Sequence, residues 1–170
     1  MKEKIPLKDL IKFVLEEARV ILPGVQALFG FQLIAVFNDR FADLDSVTRY
    51  VHLIATFFSC TSVALIMAPA AYHRQVEPEA ASHAFITYAS KLICAGLLPL
   101  ILSMTLDSYV ITKVVTNDST VSWLAAIAPA VLPLFLWYYV PQRQRRRLEE
   151  GKRLGLNEEH APLQSNFGST

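Results

Sequence analysis

The sequence predicts an all-α membrane fold: a bundle of four transmembrane helices preceded by an amphipathic helix at the interface. Three observations carry that reading. Hydrophobic residues make up 53% of the 170-residue chain and charged residues only 18%, with a mean hydropathy of +0.35; an ordinary soluble domain carries about 25% charge. Four apolar runs lie near 20–37, 51–71, 92–112 and 121–140. Each is close to the roughly 20 helical residues that a bilayer core requires at about 1.5 Å rise apiece. Finally, thirteen of the sixteen Lys and Arg residues fall in the amino end, the second loop and the tail, and three in the first and third loops. Under the positive-inside rule that bias places both termini in the cytoplasm and argues against dual topology.

Residues 1–19 mix Lys2, Lys4, Lys8, Lys12 and Arg19 with Glu3, Asp9, Glu16 and Glu17, so no cleavable signal peptide is expected. Within them Leu7, Leu10, Ile11, Val14, Leu15 and Ala18 recur at helical spacing, opposite Lys8, Asp9, Lys12, Glu16 and Glu17. Such a helix either lies along the inner leaflet or docks on the second loop. The first span is the least apolar, with Gly24, Gln26, Gly30 and Gln32. Phe41, Leu44 and Val47 then repeat every third residue, which predicts a short helical turn at the outer surface, with Asp45 or Ser46 to cap the second span. That span holds no Asp, Glu, Lys or Arg and a single edge histidine, His52. The third span carries Asp107, the only acidic residue inside any of the four. In the fourth, Trp137, Tyr138 and Tyr139 precede Arg143, Arg145, Arg146 and Arg147, while Trp123 and Tyr109 mark the outer boundary. Aromatic belts of this kind sit at headgroup level, and the arginine run reads as a block to translocation with added attraction for anionic lipid. Residues 141–170 are read as a basic tail that becomes disordered from Gly151 onward.

Several residues invite a functional reading. An ionisable group within a span is a functional hypothesis by default. Asp107 lies about one turn from the outer end, level with His52, Arg49 and Arg40, so an outer polar cluster is expected in which Asp107 meets one of those bases. His52, Thr56, Ser59 and Cys60 share offsets of four, seven and eight and form a small polar face on the second span, with Gln26 and Gln32 on the first as candidate partners. Close approach and interhelical hydrogen bonding make this a packing seam, or alternatively a solvated pathway. Prolines punctuate every span (Pro23, Pro69, Pro99, Pro129 and Pro133), and each frees a carbonyl that a neighbour must satisfy. Cys60 and Cys94 differ too much in depth for a disulfide. In the second loop His73, Glu77, Glu79 and His83 could offer ligands to a divalent metal, although their spacing matches no zinc signature and Pro78 interrupts the helix. Asn117, Asp118 and Ser119 form a glycosylation sequon, a match frequent by chance. No Walker loop, dinucleotide fingerprint, nucleophile elbow or zincin helix is present. No cofactor is expected, and with a net charge of +1 no nucleic-acid partner either.

At Glu17, Arg19, Gly24, Gln26 and Phe29, then Arg40, Phe41, Leu44 and Arg49, and finally Ala68, Pro69, His73 and Arg74, the chain resembles a bacterial family of four-helix membrane proteins of unknown function. The most specific parts are Ala-Pro-x-x-x-His-Arg at the end of the second span and Arg-Phe-x-x-Leu in the outer loop, and the likeness runs from about Glu17 to Arg146. The resemblance implies a bacterial inner-membrane setting and supplies no activity. The expected role is a structural or accessory membrane protein that acts through helix contacts, with itself or within a larger complex. A small oligomeric channel or transporter is the alternative, and an enzyme comes third.

Overall fold

A computed structural model describes residues 6–76 and 82–159, with side chains to Gly151. Those residues form six α-helices and one π-helical stretch, with no strand among them. The α-helices are α1 (Leu7–Ala35), α2 (Asp39–Ala42), α3 (Ser46–Val76), α4 (His83–Thr116), α5 (Ser119–Pro133) and α6 (Val140–Glu159). Four segments are long and apolar enough to cross a membrane: Leu7–Ala35, Ser46–Val76, His83–Thr116 and Ser119–Gly151. They mark the chain as a multi-pass membrane protein. At about 1.5 Å per residue α3 and α4 reach about 46 and 51 Å, well beyond a hydrocarbon core of roughly 30 Å.

Local chemistry sets where the helices begin. The Asn38 side chain caps α2 by accepting from the Arg40 amide at 3.0 Å. Asp45 caps α3, taking the Thr48 amide at 3.1 Å and the Thr48 hydroxyl at 2.6 Å, and these bonds hold its carboxyl below the usual carboxylate range. Ser82 accepts from the Phe85 amide at the start of α4. At the other end of α4, Asn117 adopts a left-handed conformation (φ 54°), which allows a two-residue turn, and Asp118 Oδ1 receives the Thr120 amide at the start of α5.

The chain divides into two compact units, Met1–Ala130 and Val131–Thr170. In the first, α3 and α4 share the most extensive interface and α1 packs across both. Their buried faces follow one rule. On α3 the buried residues are Thr48, His52, Ala55, Ser59, Ser62, Ile66 and Pro69, an unbroken alternation of four-residue and three-residue steps. Ala89, Ile93, Gly96, Leu100, Ser103, Asp107 and Val110 repeat that alternation within the buried face of α4, and Ile11, Val14, Ala18, Val25 and Gln32 fit it on α1. A repeat averaging 3.5 residues is that of helices wrapped in a left-handed sense, the usual arrangement of membrane bundles.

Gly96 brings α3 and α4 together. A Cβ placed there would stand 2.8 Å from Ile66 Cγ1 and 3.3 Å from Leu65 Cβ. In the same contact the Ser62 hydroxyl donates to the Gly96 carbonyl at 2.8 Å. Pro99 deprives the neighbouring Ala95 carbonyl of its helical amide, so the α4 backbone is already weakened at this level.

Two boundaries differ from the sequence reading. The amphipathic segment 1–19 and the first span 20–37 are not separate elements, because α1 runs unbroken from Leu7 to Ala35 with Pro23 inside it. Ile11, Val14 and Ala18 are buried in the same core as Val25, Ile66, Phe85, Ala89 and Ile93. The apolar face that the sequence offered to lipid or to the second loop is thus occupied by the flanks of that loop. The tail also departs from expectation. Helix α6 continues past 140 and past Gly151 to Glu159, while residues 160–170 lie outside the described residues.

The second unit begins in the last residues of α5 and passes into the π-helical turn Leu134–Tyr139, where the Val140 amide reaches back five residues to the Phe135 carbonyl. Pro141 follows. In ordinary helical register its missing N–H would orphan the Trp137 carbonyl, whereas in the wider register the amide that reaches back to position 137 belongs to residue 142. Phe135 and Tyr139 stack at 5.3 Å. With Arg143 and Arg147 they frame a surface groove.

Candidate functional site

Five side chains converge where the three helices of the first unit carry polar residues in their buried registers. Gln32 comes from α1, His52 and Ser59 from α3, and Ser103 and Asp107 from α4; all are buried. The Gln32 amide nitrogen donates to Ser103 Oγ at 2.8 Å and also to Asp107 Oδ2. Ser59 and Ser103 share a hydroxyl contact of 2.7 Å. His52 Nε2 lies 3.0 Å from the Gln32 main-chain carbonyl and His52 Nδ1 lies 3.8 Å from Asp107 Oδ1. The Phe41 ring meets the imidazole edge-on at 5.1 Å. Gln32 Oε1 alone among the side-chain polar atoms of this cluster is buried without a partner.

That geometry fixes the imidazole's chemistry. A carbonyl oxygen only accepts, so Nε2 must be the protonated nitrogen. Nδ1 then faces Asp107 Oδ1 at 3.8 Å, a contact longer than a hydrogen bond.

Beside the pair lies a cavity of about 230 Å³. Gln32, His52 and Asp107 form its polar wall, Leu28, Phe31, Ala35, Phe41, Val110 and Val114 are among its apolar lining, and Asn38 and Arg40 reach it from the loop side. Of the expected outer cluster, His52 and Asp107 are in contact and Arg40 lines the same cavity; Arg49 is exposed and does not line it.

The polar face expected on the second span divides. Ser59 is buried in the seam, Thr56 is half-buried with its hydroxyl turned back to the His52 carbonyl at 2.9 Å, and Cys60 is exposed. At 100° per residue Thr56 and Cys60 lie roughly 85° and 125° from the centre of the 3.5-residue stripe, so their offsets from His52 do not carry them into it. Gln26 is exposed while Gln32 is buried. Cys60 and Cys94 are exposed and not joined in a disulfide.

Of the four candidate metal ligands, two lie among the described residues. His73 packs its ring against Phe85 at 5.1 Å and His83 is exposed, while Glu77 and Glu79 lie outside the described residues. No group of three or more potential metal ligands occurs among the described residues. Arg143, Arg145, Arg146 and Arg147 are exposed on α6. Ser62, Gly96 and Ser103 escaped the sequence reading. Their signal was the seven-residue recurrence Ala89, Gly96, Ser103, Val110 on α4, matched on α3 by Ser59 and Ser62.

The chain belongs to a family of unknown function, DUF6328, which it matches over residues 10–141. No functionally curated protein and no solved structure matches it.

Proposed function

We propose that the chain is an accessory protein of the bacterial inner membrane that acts through helix contacts with itself or with a larger complex, with both termini in the cytoplasm. The orientation follows from the Lys and Arg distribution. In that orientation the Arg143 to Arg147 run faces anionic lipid headgroups at the inner surface.

One observation carries the choice of an accessory role over a channel through the subunit. The buried polar groups extend from His52 and Asp107 to Ser62, and then give way to a closed apolar plug. Val25, Ile66, Phe85, Ala89 and Ile93 are each no more than 2% exposed. A conducting path needs polar or wetted surface at every depth, and the seam supplies it over part of its length only. The polar side chains of α1, α3 and α4 instead hydrogen-bond to one another and tie the three helices together, as polar groups do where lipid offers no hydrogen bonds.

A pore between copies is the second reading, favoured by the outward positions of Thr56 and Cys60. Native mass of the protein in nanodiscs, combined with labelling of Cys60 by a charged thiol reagent, separates the two. A monomer or dimer whose Cys60 reacts only with a membrane-permeant reagent fits the accessory role. A higher ring in which the charged reagent reaches Cys60 from water overturns it in favour of the oligomeric pore.

A further inference from the structure

We infer that the groove framed by Phe135, Tyr139, Arg143 and Arg147 is a discrete site for one anionic phospholipid, with an acyl chain against the aromatic pair and the headgroup phosphate between the two guanidiniums. This site deepens the proposed attraction of the Arg143 to Arg147 run for anionic lipid, and it rests on the proposed orientation only for which leaflet supplies the lipid.

The π-helical turn Leu134–Tyr139 builds the groove. In an α-helix a four-residue step overshoots a full turn by about 40°, so positions 135, 139, 143 and 147 would fan out over about 120°. The π register is wider, and within it four residues fall short of a turn. The step from Phe135 to Tyr139 therefore swings back before the next two swing forward, and the four side chains stay on one side. The rings of Phe135 and Tyr139 stack at 5.3 Å with 21° between their planes. Together with Val140, Arg143, Gln144 and Arg147 they line a groove of about 180 Å³.

The groove is apolar at one end and cationic at the other, in the order that a phospholipid presents its chain and its phosphate. Phe135 and Tyr139 are 49% and 53% exposed and offer ring faces to a chain. At about 1.5 Å rise per residue, Arg143 lies about 6 Å beyond Tyr139 and Arg147 about 12 Å. Side chains on a helix lean towards its N-terminus, which here draws both guanidiniums back towards the aromatic pair and a headgroup layer roughly 5–8 Å deep. The Gln144 amide adds a neutral donor.

Charge selects the headgroup. Neither Arg143 nor Arg147 forms an ion pair or hydrogen bond among the described residues. Glu150, three residues after Arg147, does not line the groove. A guanidinium presents a planar fork of donors that matches phosphate. Two of them side by side accept an anionic headgroup and repel the ammonium of a zwitterionic one. Arg145 is two positions from each, so it points away and contributes nothing to the lining. A bound lipid thus distinguishes Arg143 and Arg147 from Arg145, whereas a diffuse surface potential treats the three alike.

Native mass spectrometry of the full-length protein in a neutral detergent, titrated with phosphatidylglycerol or phosphatidylcholine, counts the lipids held. The first phosphatidylglycerol should bind about fivefold or more tightly than phosphatidylcholine. Combining Arg143→Gln with Arg147→Gln should weaken it by about tenfold or more, while Arg145→Gln should stay within about twofold of the parent. All three positions are exposed, so these changes leave the helix intact. Equal affinity for the two lipids, a loss from Arg145→Gln as large as that from the paired change, or displacement of the lipid by millimolar inorganic phosphate would each overturn the site, the last in favour of a soluble anion. A reporter fused to the carboxyl end reads orientation separately. A tail on the outer side would overturn the proposed orientation alone, because a micelle has no sides and the lipid titration does not depend on it.

Discussion

Replacing Gly96 by alanine tests the account of the α3–α4 contact most directly. Two effects oppose one another. Alanine is a better helix former than glycine by about 1 kcal/mol, so in open space the change would stabilise. Here the new Cβ would sit 2.8 Å from Ile66 Cγ1, about 0.7 Å inside the shortest comfortable carbon contact of roughly 3.5 Å. Ile66 is fully buried and branched, so the clashing atom is not the free end of a flexible chain. The helices must separate, which stretches the Ser62 to Gly96 hydrogen bond as well. Overpacking of this sort costs about 1–3 kcal/mol. Set against the propensity gain, the net expectation is a loss of about 1 kcal/mol.

Gly24→Ala and Gly30→Ala, whose added carbons meet nothing within 4 Å, serve as controls and should be neutral or mildly stabilising. A double-mutant cycle with Ile66→Ala completes the test. That truncation alone costs about 2–5 kcal/mol, but combined with Gly96→Ala it removes the clashing atom, so the pair should be less destabilised than the sum by about 1 kcal/mol or more. Reversible unfolding in mixed micelles measures the parent and the five variants. If Gly96→Ala stabilises as the controls do, or if the two changes add within about 0.5 kcal/mol, close approach at Gly96 is not what seats α4 on α3.

The freed carbonyls of proline give a second test. Pro129 leaves the Ala125 carbonyl without its helical amide, and Ser108 Oγ donates to it at 3.3 Å; Ser108→Ala should cost about 0.6–1 kcal/mol, and adding Pro129→Ala, which restores an amide, should recover it in the same unfolding assay. Ser103 partners both Gln32 and Ser59, so Ser103→Ala should destabilise more than Ser59→Ala; equal losses would mean that the hydroxyls do not form a shared node. At the start of α3 the Thr48 bonds lower the Asp45 pKa. A depressed folded-state value means that this contribution is fully present above the ordinary carboxylate pKa and disappears as pH falls through the lowered one. Thr48→Ala should move the Asp45 titration, followed by NMR of its carboxyl carbon, back up towards the usual range and erase that low-pH fraying.

The sequence by itself determined how many segments can span a membrane and what surrounds them. Apolar runs of this length have no other way to satisfy their backbone in lipid, and the four that composition reveals are four span-capable helices in the structure. Helical rise was enough to set Asp107 level with His52. What the sequence left open was which way each residue turns. Thr56, Ser59 and Cys60 look alike as small polar residues on one helix, yet only Ser59 is fully buried, because helices that wrap around one another bury a 3.5-residue stripe and leave positions outside it to the surroundings. The same selection buries Gln32 and exposes Gln26, and it joins α1 into one helix by giving Ile11, Val14 and Ala18 a protein partner in place of lipid. In a membrane no hydrophobic force drives one helix face against another, so composition is nearly silent about contacts. Shape decides them, and shape at Gly96 and the donor and acceptor pairs of Gln32, His52, Ser103 and Asp107 exists only once α1, α3 and α4 have come together.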